Sequence, residues 1–205
     1  KTTIKLLKMI VLDIETTGVY PEKNSIVSIG AVDFSKPENQ FYAECRIWEG
    51  AEITQEALNI NGFTKEQITN TNKHSLEEAV GKFIQWMEKI EDKTLAGENP
   101  SFDRDFLKNS VERCGINYRL GHRIIDLHSL SYAHHLKRGL IPPAKNGRTD
   151  LNLNQTLIYV GLPSEPNPHH ALTGAKMEAE AFSRLIYGKN LLPEFEKYKI
   201  PDYLK

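Results

Sequence analysis

The chain has almost no net charge, few cysteines and no long apolar run. Lys and Arg number 26 against 27 Asp and Glu, a formal charge of −1. That balance excludes the basic footprint that an extended duplex or an anionic membrane surface would require. It does not exclude a site for a few nucleotides, where local charge decides. The only two cysteines, Cys45 and Cys114, lie far apart without metal-type spacing. A cysteine-built zinc site is therefore excluded, and both read as reduced thiols of an intracellular protein. No stretch approaches the roughly 18 apolar residues of a membrane span. The opening "KTTIKLLK" lacks the apolar core of a signal peptide. The expectation is a cytoplasmic chain without membrane contact. Its 205 residues predict one domain over 1–205, with a core over about 8–187 and a tail, 188–205, docked on it.

Hydrophobic residues make up 40% and charged ones 26%, ordinary for a globular protein. "KMIVLDIETTG" runs apolar from Met9 to Leu12, adds Ile14 and closes at Gly18, the pattern of a strand buried on both faces. Two β-rich segments follow at 25–34 and 40–48, separated by the turn-like "SKPEN", and the three predict an antiparallel meander. A loop with a short helix over Thr64–Ile68, a capping-box pattern, comes next. A capping box at Ser75 and Glu78 then opens a helix over 75–92. "TLAGEN" reads as a short strand, and "SFDRDFLKNSVERCG" as a helix stopped by Gly115. "RIIDLHSL" predicts a strand running into "SYAHHLKR". Residues 139–150 read as a loop, broken by Pro142-Pro143 and Asn146-Gly147. Helices over 151–162 and 171 to about 187, the last stopped at Gly188, complete the pattern. The fold class is α/β: a mixed sheet, the meander plus parallel strands, flanked by helices. Chemistry in such sheets sits at strand ends.

Asp13 and Glu15 lie two apart at the end of the first strand, so both side chains share one face. Two carboxylates leaving a buried strand repel unless a cation lies between them. The alternative is a solvated Glu15 with Asp13 capping a turn. The following Thr16, Thr17 and Gly18 supply two hydroxyls and a close backbone approach for a ligand. Asn99 precedes a helix whose first turn holds Asp103 between Phe102 and Phe106. The helix dipole alone would favour an aspartate there, but the two rings suggest a carboxylate held in place. Near the end, "HHALTGAKMEAEAF" places Gly174 early in a helix, at a cost of about 1 kcal/mol relative to alanine.

With Asp13-x-Glu15-Thr16-Thr17-Gly18, Asn99-x-x-Phe102-Asp103 and His169-x-Ala171 in this order, the chain resembles the DEDDh-type 3′–5′ exonucleases, the proofreading family with an RNase H-like fold. The resemblance covers residues 8 to 187. It implies two divalent cations, Mg2+ or Mn2+, held by Asp13, Glu15 and Asp103, with His169 as the general base. It implies Thr16, Thr17, Gly18, Asn99 and Phe102 as substrate contacts. It further implies single-stranded or frayed 3′ ends of DNA or RNA as substrate and nucleoside monophosphate as product. A DNA polymerase or another protein is the implied partner. The pattern's fourth acidic residue falls on Gly174. That departure predicts a weakened cation site and strongly reduced activity. The alternative is a catalytically inactive nucleic-acid-binding or subunit-contact module of the same fold.

Overall fold

The computed structural model describes residues 7–205. Its centre is a five-stranded sheet. Three of the strands form the expected meander: β1 (Ile10–Thr16), β2 (Ile26–Asp33) and β3 (Gln40–Glu44). β1 pairs antiparallel with β2, which pairs antiparallel with β3. A helix the sequence pattern did not announce, α1 (Gln55–Asn61), follows, capped by the Thr54 side chain and closed by Gly62 in the left-handed region. α2 (Lys65–Thr69) and α3 (Leu76–Met87) both open on the capping boxes read in the sequence.

β4 (Leu95–Gly97) then enters parallel beside β1, and α4 (Pro100–Arg113) starts three residues after its end. β5 (Ile124–Asp126) pairs parallel with β4 at the sheet edge, giving the order β3-β2-β1-β4-β5. This last strand is shorter than expected. Asp126 accepts the backbone N–H groups of His128 and Ser129, so α5 (Leu127–Lys137) begins immediately. The predicted loop over 139–150 contains a small antiparallel hairpin, β6 (Ala144–Lys145) and β7 (Arg148–Thr149), turned by Asn146-Gly147 with both residues at positive φ. That dipeptide is the preferred two-residue hairpin turn. α6 (Leu153–Tyr159) and α7 (Ala171–Tyr187) complete the body, with Gly188 as the left-handed cap of α7.

The two faces of the sheet bury separate cores. Met9, just before β1, and Val11 on it pack with α7, α5 and the tail residues Leu192, Phe195 and Leu204. Ile10, Leu12 and Ile14 pack against α3 and α4. The period of two therefore carries Asp13 and Glu15 onto the α7 face. β2 allows α7 to come close because it has a glycine opposite Asp13. A Cβ on Gly30 would lie 2.2 Å from the Leu172 nitrogen.

Candidate active site

Four segments converge at the end of β1. β1 pairs with β4 only through Ile10 and Val11, so beyond them its edge has no strand partner on that side. Asp103 takes over there: its Oδ1 accepts the Ile14 N–H at 3.0 Å. A side chain in the first turn of α4 thus stands in for a missing strand and is fixed against β1. Asp103 is buried, and burial raises its carboxyl to about 7, against the lowering effect of the backbone hydrogen bonds it accepts.

Asp13 and Glu15 share this neighbourhood. Burial, then the charges of Glu15, Asp103 and Glu165, push the Asp13 carboxyl well above the usual range. Glu15 is raised to about 8 by burial and then by Glu165 and Asp103. Acids in one low-dielectric space hold their protons in this way unless a cation offsets the charge.

His169 ends the α6–α7 connection. Its backbone N–H donates to the Ile60 carbonyl at 2.9 Å, tying it to α1. Its Nδ1 lies 3.4 Å from Glu165 Oε2. Burial lowers its pKa, which keeps the ring neutral near pH 7. His170 is spent locally, capping α7 through the Thr173 N–H and stacking on Tyr42 with ring centroids 4.5 Å apart. Gly174 sits on the first turn of α7 directly over Asp13. A Cβ there would meet Asp13 Oδ2 at 2.0 Å and Glu165 Oε1 at 3.1 Å.

A cavity of about 270 Å³ opens beside Glu15, lined among others by Ile14, Thr16, Gly18, Phe102 and, from α1, Ile60 and Asn61. Two expected substrate contacts lie elsewhere. The Thr17 hydroxyl is fully buried; it donates to the Glu52 carbonyl at 2.7 Å and accepts the Ser25 N–H at 2.9 Å, so it holds the strand turn. Asn99 takes a left-handed conformation at the start of α4, donating its N–H to Asp126 and accepting from the Ser101 hydroxyl. Gly18 is required by its neighbour, since a Cβ would meet the Asn24 side chain at 2.6 Å.

Sequence reasoning missed two acids. Glu165, in a proline-flanked loop, and Glu178, one turn beyond Gly174 on α7, are both buried. A lone glutamate in either setting carries no motif. The donors facing this space are carboxylate oxygens, the ligands hard divalent cations take. Among the described residues, no three His, Cys, Asp or Glu side chains already close on one point as a metal cage. The acids form one electrostatic neighbourhood without being drawn together into a finished one.

The RNase T exonuclease family model matches residues 10–182. The chain belongs to this exonuclease family. The order of its acidic motifs is that of the DEDDh type, and the five-stranded mixed sheet is the RNase H-like fold that type has. The chain is 28% identical over 197 residues to a PolC-type DNA polymerase III of Thermotoga maritima, covering 93% of this chain but 13% of the polymerase. It is 26% identical to the exonuclease DPD1 of Arabidopsis thaliana, covering 90% of this chain and 58% of that protein. The DNA polymerase III epsilon subunit of Treponema pallidum is 27% identical, over 85% of this chain and 74% of the subunit. This chain thus corresponds to only part of the length of the larger relatives. Among solved structures, the nuclease domain of 3′hExo, a DEDDh family member bound to rAMP, superposes with a TM-score of 0.69, 17% identity and 98% coverage of both chains. The zinc-bound E. coli ExoI–ssDNA complex gives 0.68 at 16% identity, covering 88% of this chain and 40% of that chain.

Proposed function

We propose that this chain, a single exonuclease domain over 1–205, removes nucleoside monophosphates from the 3′ ends of single-stranded or frayed DNA or RNA, using two divalent cations, Mg2+ or Mn2+. The observation that carries the reading is the meeting of half-buried Asp13 with buried Glu15 and Asp103 at the end of β1, in the neighbourhood of Glu165 and His169. Asp13, Glu15 and Asp103 would hold the cations, which supply water activation and stabilisation of the leaving oxygen.

His169 is the proton acceptor in this scheme. With Nδ1–H turned to Glu165, Nε2 carries the lone pair that takes a proton from the attacking water. The cavity at Ile14, Thr16, Gly18 and Phe102 suits the terminal nucleotide, with the Phe102 ring as a stacking face. On Asp13, Glu15 and Asp103 alone, Gly174 would leave the water-activating cation weakly held and the activity low. The same glycine favours the second reading, a non-cutting nucleic-acid-binding or subunit-contact module. Relatives that are DNA polymerase III proteins support a polymerase as partner. A cytoplasmic setting is supported by the free thiols of Cys45 and Cys114.

The test is digestion of 5′-labelled single-stranded DNA and RNA with Mn2+ or Mg2+. The nuclease reading expects a ladder shortening from the 3′ end one nucleotide at a time, stopped by chelator. Intact oligonucleotide that is retained by the protein supports the binding module, and internal fragments contradict both readings.

A further inference from the structure

We propose that Glu165 supplies the fourth carboxylate of the cation site, from the α6–α7 connection, so that the site is complete with a glycine at 174. The inference rests on the nuclease reading and deepens it.

The space above Asp13 is already occupied. A side chain at 174 would begin 2.0 Å from Asp13 Oδ2 and 3.1 Å from Glu165 Oε1. A side chain there would displace the Asp13 carboxylate and make Glu165 give by a few tenths of an ångström. Glycine leaves both carboxylates where they stand, and this gives the helix-weakening choice at 174 a reason.

Glu165 is built into place. Its backbone N–H donates to Asn154 Oδ1 at 2.8 Å, pinning the loop to α6. Its side chain is 5% exposed. One carboxylate oxygen, Oε2, faces His169 Nδ1 at 3.4 Å. The other, Oε1, is buried and has no hydrogen-bond partner among the described residues. A buried acceptor left unmade is costly, and more so when charged, so such a group calls for an explanation. A cation beside Asp13 is one that matches its chemistry. One side chain then does two things: it orients the base through Oε2 and faces the cation through Oε1.

Glu178 is the rival. It too is buried with an unpartnered Oε2, but that oxygen lies 3.0 Å from where a Gly97 Cβ would be. Glu178 thus faces Gly97 on β4. It sits deeper, on the β4 side.

Calorimetric titration of Mn2+ into the full chain separates the candidates without relying on turnover. Glu165→Gln is expected to lose at least tenfold in Mn2+ affinity, or one of two binding events, and Glu178→Gln to bind as the parent does. Gly174→Asp alone should not tighten binding, whereas Glu165→Gln with Gly174→Asp should regain much of the loss. Thermal melting in chelator checks that each variant folds; should Glu165→Gln not fold, Glu165→Ala takes its place. Parent-like Mn2+ binding by the folded Glu165 variant overturns the assignment, as does loss in Glu178→Gln instead. These outcomes leave the nuclease reading standing. A folded parent that binds no Mn2+ and shortens no oligonucleotide removes that reading, and this inference with it.

Discussion

At Asp103 one carboxylate does two separable jobs. Its Oδ1 satisfies the Ile14 N–H where β1 runs past its parallel partner, and its charge contributes to the acid cluster. Asp103→Asn keeps an acceptor for that N–H and removes the charge. Oligonucleotide digestion should then fall by a factor of a hundred or more, while the melting temperature in chelator stays level or rises, because a buried charge has been removed. Asp103→Ala should lose both activity and stability, by about 1–3 kcal/mol for the orphaned donor. Equal melting temperatures for the two variants would contradict this division of labour.

Residues of this kind were legible because their chemistry is written locally. Asp13 and Glu15 are two apart on a strand, and Asp103 opens a helix. The Thr17 hydroxyl is taken up by Ser25 and Glu52; a hydroxyl beside an acidic motif looks the same in the sequence whether it faces substrate or backbone. Glu165 was invisible because only folding brings it under Gly174.

Among the elements, the close approach of α7 to β2 sets where His169 stands, since the helix begins two residues after it. Gly30 makes that approach possible. Gly30→Ala would push a methyl to 2.2 Å from the backbone of Ala171 and Leu172, a contact that must be relieved by shifting the helix. The expected cost is about 1–3 kcal/mol of overpacking, read by denaturant unfolding, with a fall in exonuclease rate larger than that loss of stability explains. An unaltered rate would mean that the start of α7 does not position the base.

The elements followed their local signals where these were strong: both capping boxes, the Gly188 stop and the meander. α1 escaped notice because its apolar face is thin. Within it only Leu58 and Asn61 are buried, so its periodicity is weak and tertiary contacts decide. The hairpin at 144–149 was read as a loop because its two-residue strands are too short to alternate, although Asn146-Gly147 signalled it.

Across the whole molecule, a buried ion pair joins the tail to the body. Arg184 and Glu180 are both fully buried, with Nε and Oε1 2.8 Å apart. The guanidinium also donates to the carbonyls of Val160, Phe195 and Tyr198, and Glu180 Oε2 accepts the N–H groups of Leu191 and Leu192. Arg184→Ala leaves an uncompensated buried charge and several orphaned carbonyls, so chemical denaturation should register a loss of about 3–5 kcal/mol. Release of the tail to protease should accompany it, and a variant as stable and as protected as the parent would refute the anchoring role.

The acid cluster also gives the molecule a pH signature. Glu15 and Glu98 are raised to about 8, and Asp103 and Glu165 to about 7, chiefly by burial. Carboxyls raised in the folded state carry a stabilising proton below their unfolded values, and that advantage is lost as pH rises through about 7 to 8. In chelator the melting temperature should therefore fall between pH 5 and 8.5, and Mn2+ should raise it more at the upper end. A flat profile would contradict the coupling of these acids. Among the described residues no helix is long and apolar enough to cross a membrane.

Anomalous scattering from a crystal soaked in Mn2+ shows whether Asp13, Glu15 and Asp103 hold divalent cations. Anomalous density is expected between these carboxylates, beside His169 and reaching Glu165. Full Mn2+ occupancy elsewhere on the molecule, with none among these side chains, would show that they do not.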